Sequence, residues 1–201
     1  SISAVGPGPR AQRHWKWAQQ RGLKTMAKMQ VNCTWELSAV PYLPAMSLVA
    51  RHMENLSKLG IRDMLLSWSL GGYPSPNLQL VHEFSRKPPP TAEQALARVA
   101  EDRYGKAAVP QALKAWETFS KAFEEYPYNS GGLYAGPFQL GPANLLFEKA
   151  TGYHATMVGF PYDNLDAWRG PYPAEVYVRQ CEKVALGFET GIELMRQAQM
   201  K

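Results

Sequence analysis

The sequence predicts an α/β chain: the last βα units of a (β/α)8 barrel over residues 1–87, then a mostly helical region over 88–201 that includes a long irregular stretch. Three observations predict it. Helix and strand signatures alternate through the first part. Within it, "RGLKTMAKMQ" and "LGIRDMLLSW" echo each other, each running from a helix end through a glycine into a strand. That is the βα repeat of a parallel sheet. Two or three parallel strands cannot close a barrel or bury both faces, so they read as part of a larger sheet. A complete small α/β domain is the rival reading.

The elements follow in order. The opening "SISAVGPGP" reads as the tail of an earlier strand with its own Gly/Pro loop. "PRAQRHWKWAQQRG" is a helix, with Pro9 near its start and Gly22 as its stop. "LKTMAKMQVN" is a short strand and "CTWELSAVPYLP" a loop. Pro44 opens a second helix, which Gly60 ends, and "IRDMLLSW" is the second strand. Past Asn77, "LQLVHEFS" reads as a short helix and "RKPPP" as a stiff break. Thr91 and Gln94 have the spacing of a capping box. Leu113, Trp116, Phe119 and Phe123 form an apolar stripe at helical spacing. A final helix from about Ala174 carries Tyr177, Cys181, Val184, Phe188, Ile192 and Met195, and its Gly187 and Gly191 permit close packing.

Composition narrows the function. The chain is 45% hydrophobic, 11% aromatic and 19% charged, with a formal charge of +5. Its basic residues read as scattered among acids, with no run dense enough for a phosphate-binding stripe, so no nucleic-acid partner is expected. No apolar run approaches the ~20 residues of a transmembrane helix, and no membrane partner is expected. The N-terminus has neither a basic n-region nor an apolar h-region, so no signal peptide is expected. Lacking an initiator Met, the chain is expected to be processed or cut from something longer. Cys33 and Cys181 stand outside any CxxC pattern, which excludes a cysteine zinc site. Cys181 falls on an apolar helical stripe and reads as a buried thiol. The four histidines are isolated, without HxH or HExxH spacing. His52, in line with Leu48 and Leu56, reads as a satisfied, half-buried residue. GxSxG, P-loop and GxGxxG motifs are missing from the sequence. No metal and no cofactor is expected.

In βα architectures function gathers at the C-terminal ends of the strands. Two stretches qualify. "QVNCTWE" offers Asn32, Trp35 and Glu36, and "SWSLGGYPSPN" offers Trp68, Tyr73 and Asn77. A carboxylate, amides and aromatic faces together suit a carbohydrate, whose C–H faces stack on rings while its hydroxyls hydrogen-bond. Glu36 is the candidate acid. Glycoside hydrolysis usually needs two carboxylates, and a lone Glu is more often simply solvated. Trp35 and Trp68 divide between sugar platform and packing. For Asn77 turn chemistry is the competing role. In the late irregular stretch, Tyr134, His154, Asp163, Asp166, Trp168 and Arg169 could line the same cleft, although Asp166 and Arg169 also read as a local surface pair.

These stretches, with the tail "ARVAEDRYG…ALKAWETFSKAFEEYP", resemble the last barrel strands and helical extension of glycoside hydrolases of the hexosaminidase-like and α-glucuronidase-like kinds. The resemblance implies a barrel, a sugar substrate and an aromatic wall such as Trp68. It also implies that the main acid and base lie upstream of Ser1, with the remainder of the parent barrel as partner. The expected function is therefore a carbohydrate-active protein that contributes sugar-binding residues to an active-site cleft. The alternatives are a non-catalytic carbohydrate-binding or interaction module, and a small α/β enzyme acting on another polar metabolite.

Overall fold

Two helices of this chain end in the same way. The computed structural model describes residues 1–38, 40–67, 74–135, 148–149, 151–152, 165–167 and 169–199. Helix α1 spans Pro9–Gln20 and α2 spans Met46–Lys58. After α1, Gly22 N–H donates to Gln19 O and Leu23 N–H to Ala18 O, each at 3.0 Å. After α2, Gly60 N–H donates to Ser57 O and Ile61 N–H to Leu56 O, again at 3.0 Å. Both glycines are left-handed, at φ +73° and +72°. This is the glycine-closed helix end that a side chain with a Cβ would strain. It turns the chain into β1, Met26–Gln30, and β2, Asp63–Ser67. The echo in the sequence is thus one local motif used twice.

Strands β1 and β2 pair in parallel, Met26 opposite Asp63 and Gln30 opposite Ser67. Ala27 and Met29 on one face are buried, while Met26 and Leu65 are more than half exposed. Beyond the sheet come α3 (Pro76–Glu83), α4 (Ala92–Tyr104), α5 (Val109–Glu124), α6 (Ser130–Ala135) and α7 (Ala174–Gln199). The capping box at α4 is present: Gln94 N–H donates to Thr91 Oγ at 3.2 Å, and Thr91 N–H to Gln94 Oε1 at 3.1 Å. One cluster of buried side chains runs from Ile2 through Met29, Met53, Leu80 and Val99 to Phe123, crossing the position where the βα part was expected to give way to the helical part. Helix α7 lies along α5. Phe188 meets Phe119 edge-on with centroids 5.3 Å apart. A Cβ on Gly187 would collide with Ala122, and one on Gly191 with the Phe119 ring. The close packing expected of these two glycines is therefore present.

The expected partial (β/α)8 barrel is not formed. The described residues make a mostly helical small domain around a single two-stranded parallel sheet. The reason is visible beside β1. The opening segment lies near Met29 and Gln30 and near Leu48 and His52 of α2, and it forms no strand. Its backbone donors at Ile2 and Ser3 go instead to a side chain, the carboxylate of Glu36. Helices α2, α4 and α5 pack on one another rather than around a closed sheet.

Candidate functional site

The C-terminal ends of β1 and β2 hold a buried polar network. Val31, directly after β1, continues the pairing by donating its N–H to Ser67 O at 2.8 Å. The Val31 carbonyl accepts from Asn77 Nδ2 at 2.6 Å, and the same amide group donates to Leu43 O at 2.8 Å. Leu43 N–H in turn donates to Asn32 O at 2.6 Å. Ser75 caps α3, accepting from Leu78 N–H at 3.1 Å, and its hydroxyl donates to Asn32 Oδ1 at 2.6 Å. Three passages of chain are thereby joined: the exit of β1, the approach to α2 and the start of α3. Asn32 and Asn77 have no exposed surface.

Glu36 is also fully buried. Its Oε2 accepts from Ile2 N–H and from the Thr34 hydroxyl, each at 2.8 Å, and from Ser3 N–H at 3.4 Å. Its Oε1 accepts from the Ser3 hydroxyl. All four donors are neutral. A buried carboxylate is expensive unless paired or richly hydrogen-bonded, and Glu36 takes the second route. Glu83 takes the first, with Arg86 Nε at 2.6 Å and Arg98 Nη1 at 3.5 Å from its Oε2. The Arg86 guanidinium holds the Glu83 carboxyl below the usual carboxylate range.

Trp35 is half-buried beside this network. Trp68 and Tyr73 lie outside the described residues, as do His154, Asp163 and Trp168. Tyr134 lies on α6. Asp166 and Arg169 form the local ion pair that competed with a cleft role, at 2.6 Å with the Asp166 side chain largely exposed. His52 is half-buried as expected, and burial lowers it to about 4.

A small apolar cavity of about 160 Å³ lies between α5 and α7, lined by Phe123, Tyr126, Cys181, Val184 and Phe188, with Glu36 at its edge. Burial pushes the Cys181 thiol up to about 11. A protonated thiol is a poor nucleophile, so Cys181 contributes packing there.

Three buried polar atoms near the strand ends have no protein partner among the described residues: Asn32 Nδ2, Asn77 Oδ1 and Ser67 Oγ. Each belongs to a residue bonded to Val31 or adjacent to it. Sequence reasoning singled out the two asparagines but missed Ser67, Ser75, Thr34 and Ser3. The signal for Ser75 was available, since Ser-Pro-Asn is a helix start with Pro at its first turn. Nothing local marked Ser3, because its partner is 33 residues away.

Among the described residues, no three His, Cys, Asp or Glu side chains gather in a way that could hold a metal ion. Among them, too, no helix is long and apolar enough to cross a membrane. No family model matches the chain, and comparison with curated proteins and with solved structures found no match.

Proposed function

We propose that this protein binds carbohydrate through the segments that follow β1 and β2. Trp35, Trp68 and Tyr73 supply stacking faces, and Asn32 and Asn77 brace the site from beneath. The observation that carries the reading is the set of aromatic residues, Trp35, Trp68 and Tyr73, in the two segments that follow the paired parallel strands. An unmade buried hydrogen bond costs about 1–3 kcal/mol. Asn32 Nδ2, Asn77 Oδ1 and Ser67 Oγ are closed off from the surface, so an internal water, which can both donate and accept, suits them, and the ligand is met by the aromatic side chains.

The reading assigns binding and not bond cleavage. Both oxygens of Glu36 are engaged by donors from Ile2, Ser3 and Thr34, so Glu36 serves as an internal staple. A role in glycoside hydrolysis would be substrate binding, with the acid and base supplied by other residues.

The test is a titration of the chain with a panel of neutral oligosaccharides, followed by the same titration of Trp68→Ala and Tyr73→Ala, together with an assay on chromogenic glycosides. We expect at least one glycan to bind, Trp68→Ala to weaken it about tenfold, and no turnover. A panel without binders, or binding indifferent to Trp68→Ala, would defeat the sugar reading. Turnover abolished by Glu36→Gln would defeat the assignment of Glu36 as a staple.

A further inference from the structure

Residues 1–35 contain Arg10, Arg13, Lys16, Arg21, Lys24 and Lys28 and not one acid; the first carboxylate is Glu36. Half of these cations lie on α1, which buries none of its residues. Between α1 and the end of α2 runs a groove of about 530 Å³, within the ~300–1,000 Å³ range of small-molecule sites. Gln12, Arg13, Lys16 and Gln19 line it from α1, Lys58 lines it from α2, and Trp15 is also in its wall.

Among the described residues Arg13 and Lys16 have no acidic partner, whereas Lys58 pairs with Glu54 at 2.7 Å. The two glutamines have their amide nitrogens occupied. Gln12 Nε2 donates to Pro7 O at 2.7 Å. Gln19 Nε2 donates to Thr25 Oγ1 at 3.1 Å and to Leu59 O at 3.3 Å. Each glutamine keeps its side-chain carbonyl as an acceptor. The groove therefore offers cations for an anion and acceptors for hydroxyls.

We propose that this groove is a binding site for an acidic oligosaccharide, a ligand that carries carboxylates and hydroxyls on one compact frame. Arg13 and Lys16 take the carboxylates, and Gln12 and Gln19 accept from the hydroxyls. Single-stranded nucleic acid is the other polyanion to weigh, and it wants open aromatic faces for its bases. Trp15 supplies only part of one: it is half-buried, and its indole N–H is tied to Met26 O at 3.1 Å. Trp17, which is exposed, is not in the groove lining and stacks on His14 with centroids 5.8 Å apart. The site is separate from the strand ends and stands on its own residues.

The experiment is calorimetric titration of the intact chain with trigalacturonate at low salt, with maltotriose as a neutral control and a thymidine oligomer as the rival polyanion. Two charge variants are compared, Arg13→Glu/Lys16→Glu and the milder Arg13→Gln/Lys16→Gln; both sites are exposed, and circular dichroism checks the fold. We expect trigalacturonate to bind, to lose about tenfold or more in the glutamate variant and less in the glutamine variant, and to weaken as salt rises. Maltotriose should not compete for the groove, and Trp68→Ala should leave trigalacturonate binding unchanged, which separates this site from the strand-end site. Absence of trigalacturonate binding, or binding indifferent to both charge variants, overturns the proposal. Tighter binding of the thymidine oligomer overturns it in favour of a nucleic-acid surface.

Discussion

The strand ends and helix α1 use polar residues in opposite ways. At the strand ends Glu36, Asn32, Asn77 and Ser75 are buried and directed inward, fastening one stretch of backbone to another. On α1 Arg10, Arg13 and Lys16 are exposed and have no acidic partner among the described residues. The first region resembles a site in its sequence and behaves as scaffold through most of its side chains. The second reads as an ordinary surface helix, yet it holds open charge. The difference teaches that residue type alone does not mark a binding surface; the remaining hydrogen-bonding and charge capacity does.

The contrast breaks most directly at Glu36. Replacing it with Ala leaves four buried donors without their acceptor, and we expect a loss of about 3 kcal/mol or more in urea unfolding. Glu36→Gln, which keeps one acceptor, should recover part of this. A loss under about 1 kcal/mol would place Glu36 with the surface residues and erase the distinction. Asn77→Ala comes next. It strands the carbonyls of Val31 and Leu43, with an expected loss of about 2 kcal/mol.

A pH titration sharpens the comparison further. His52 sits on α2 against Gly6, where a Cβ would lie 2.6 Å from the imidazole. Burial lowers its folded value to about 4 from the ordinary 6.5. The unfolded chain therefore binds the proton first as pH falls. Stability contributed by neutral His52 is present above pH 6.5 and declines between 6.5 and about 4, by about 1–2 kcal/mol after allowance for solvent screening. His52→Gln should flatten that slope. The smallest effect is expected on α1, where Trp17→Ala should change stability by less than about 0.5 kcal/mol.

Much of the local structure was legible. Pro9, Gly22, Gly60 and the Thr91–Gln94 box mark helix ends through backbone chemistry that is local by nature, and the observed ends fall within a few residues of the expected ones. The stripe Trp116, Phe119 and Phe123 is buried on one face of α5. Barrel closure was not legible, because it depends on strands pairing across long separations, and βα texture fits any short parallel pair equally well. Whether "SISAV" paired as a strand turned on Glu36 taking its donors, a contact across 33 to 34 residues that no local pattern announces. The site residues suffered the same limit. Asn32 and Asn77 were found because they follow strands, but their burial was not visible. The charge on α1 was visible and was diluted by averaging over the whole chain: Arg10 to Lys28 precede every acid.

The central claim is that ligand recognition belongs to the aromatic segments after the strands and to the α1–α2 groove, with the buried carboxylate as scaffold. Hydrogen–deuterium exchange of the intact chain tests it most directly, measured alone, with a neutral oligosaccharide that binds, and with trigalacturonate. The account predicts protection in peptides covering residues 64–77 with the neutral sugar and in peptides covering 9–20 with trigalacturonate, while exchange at the Glu36 amide, which donates to Thr34 Oγ1, stays the same in all three. Protection centred on Glu36 and its neighbours, with α1 unaffected by the acidic sugar, would contradict it.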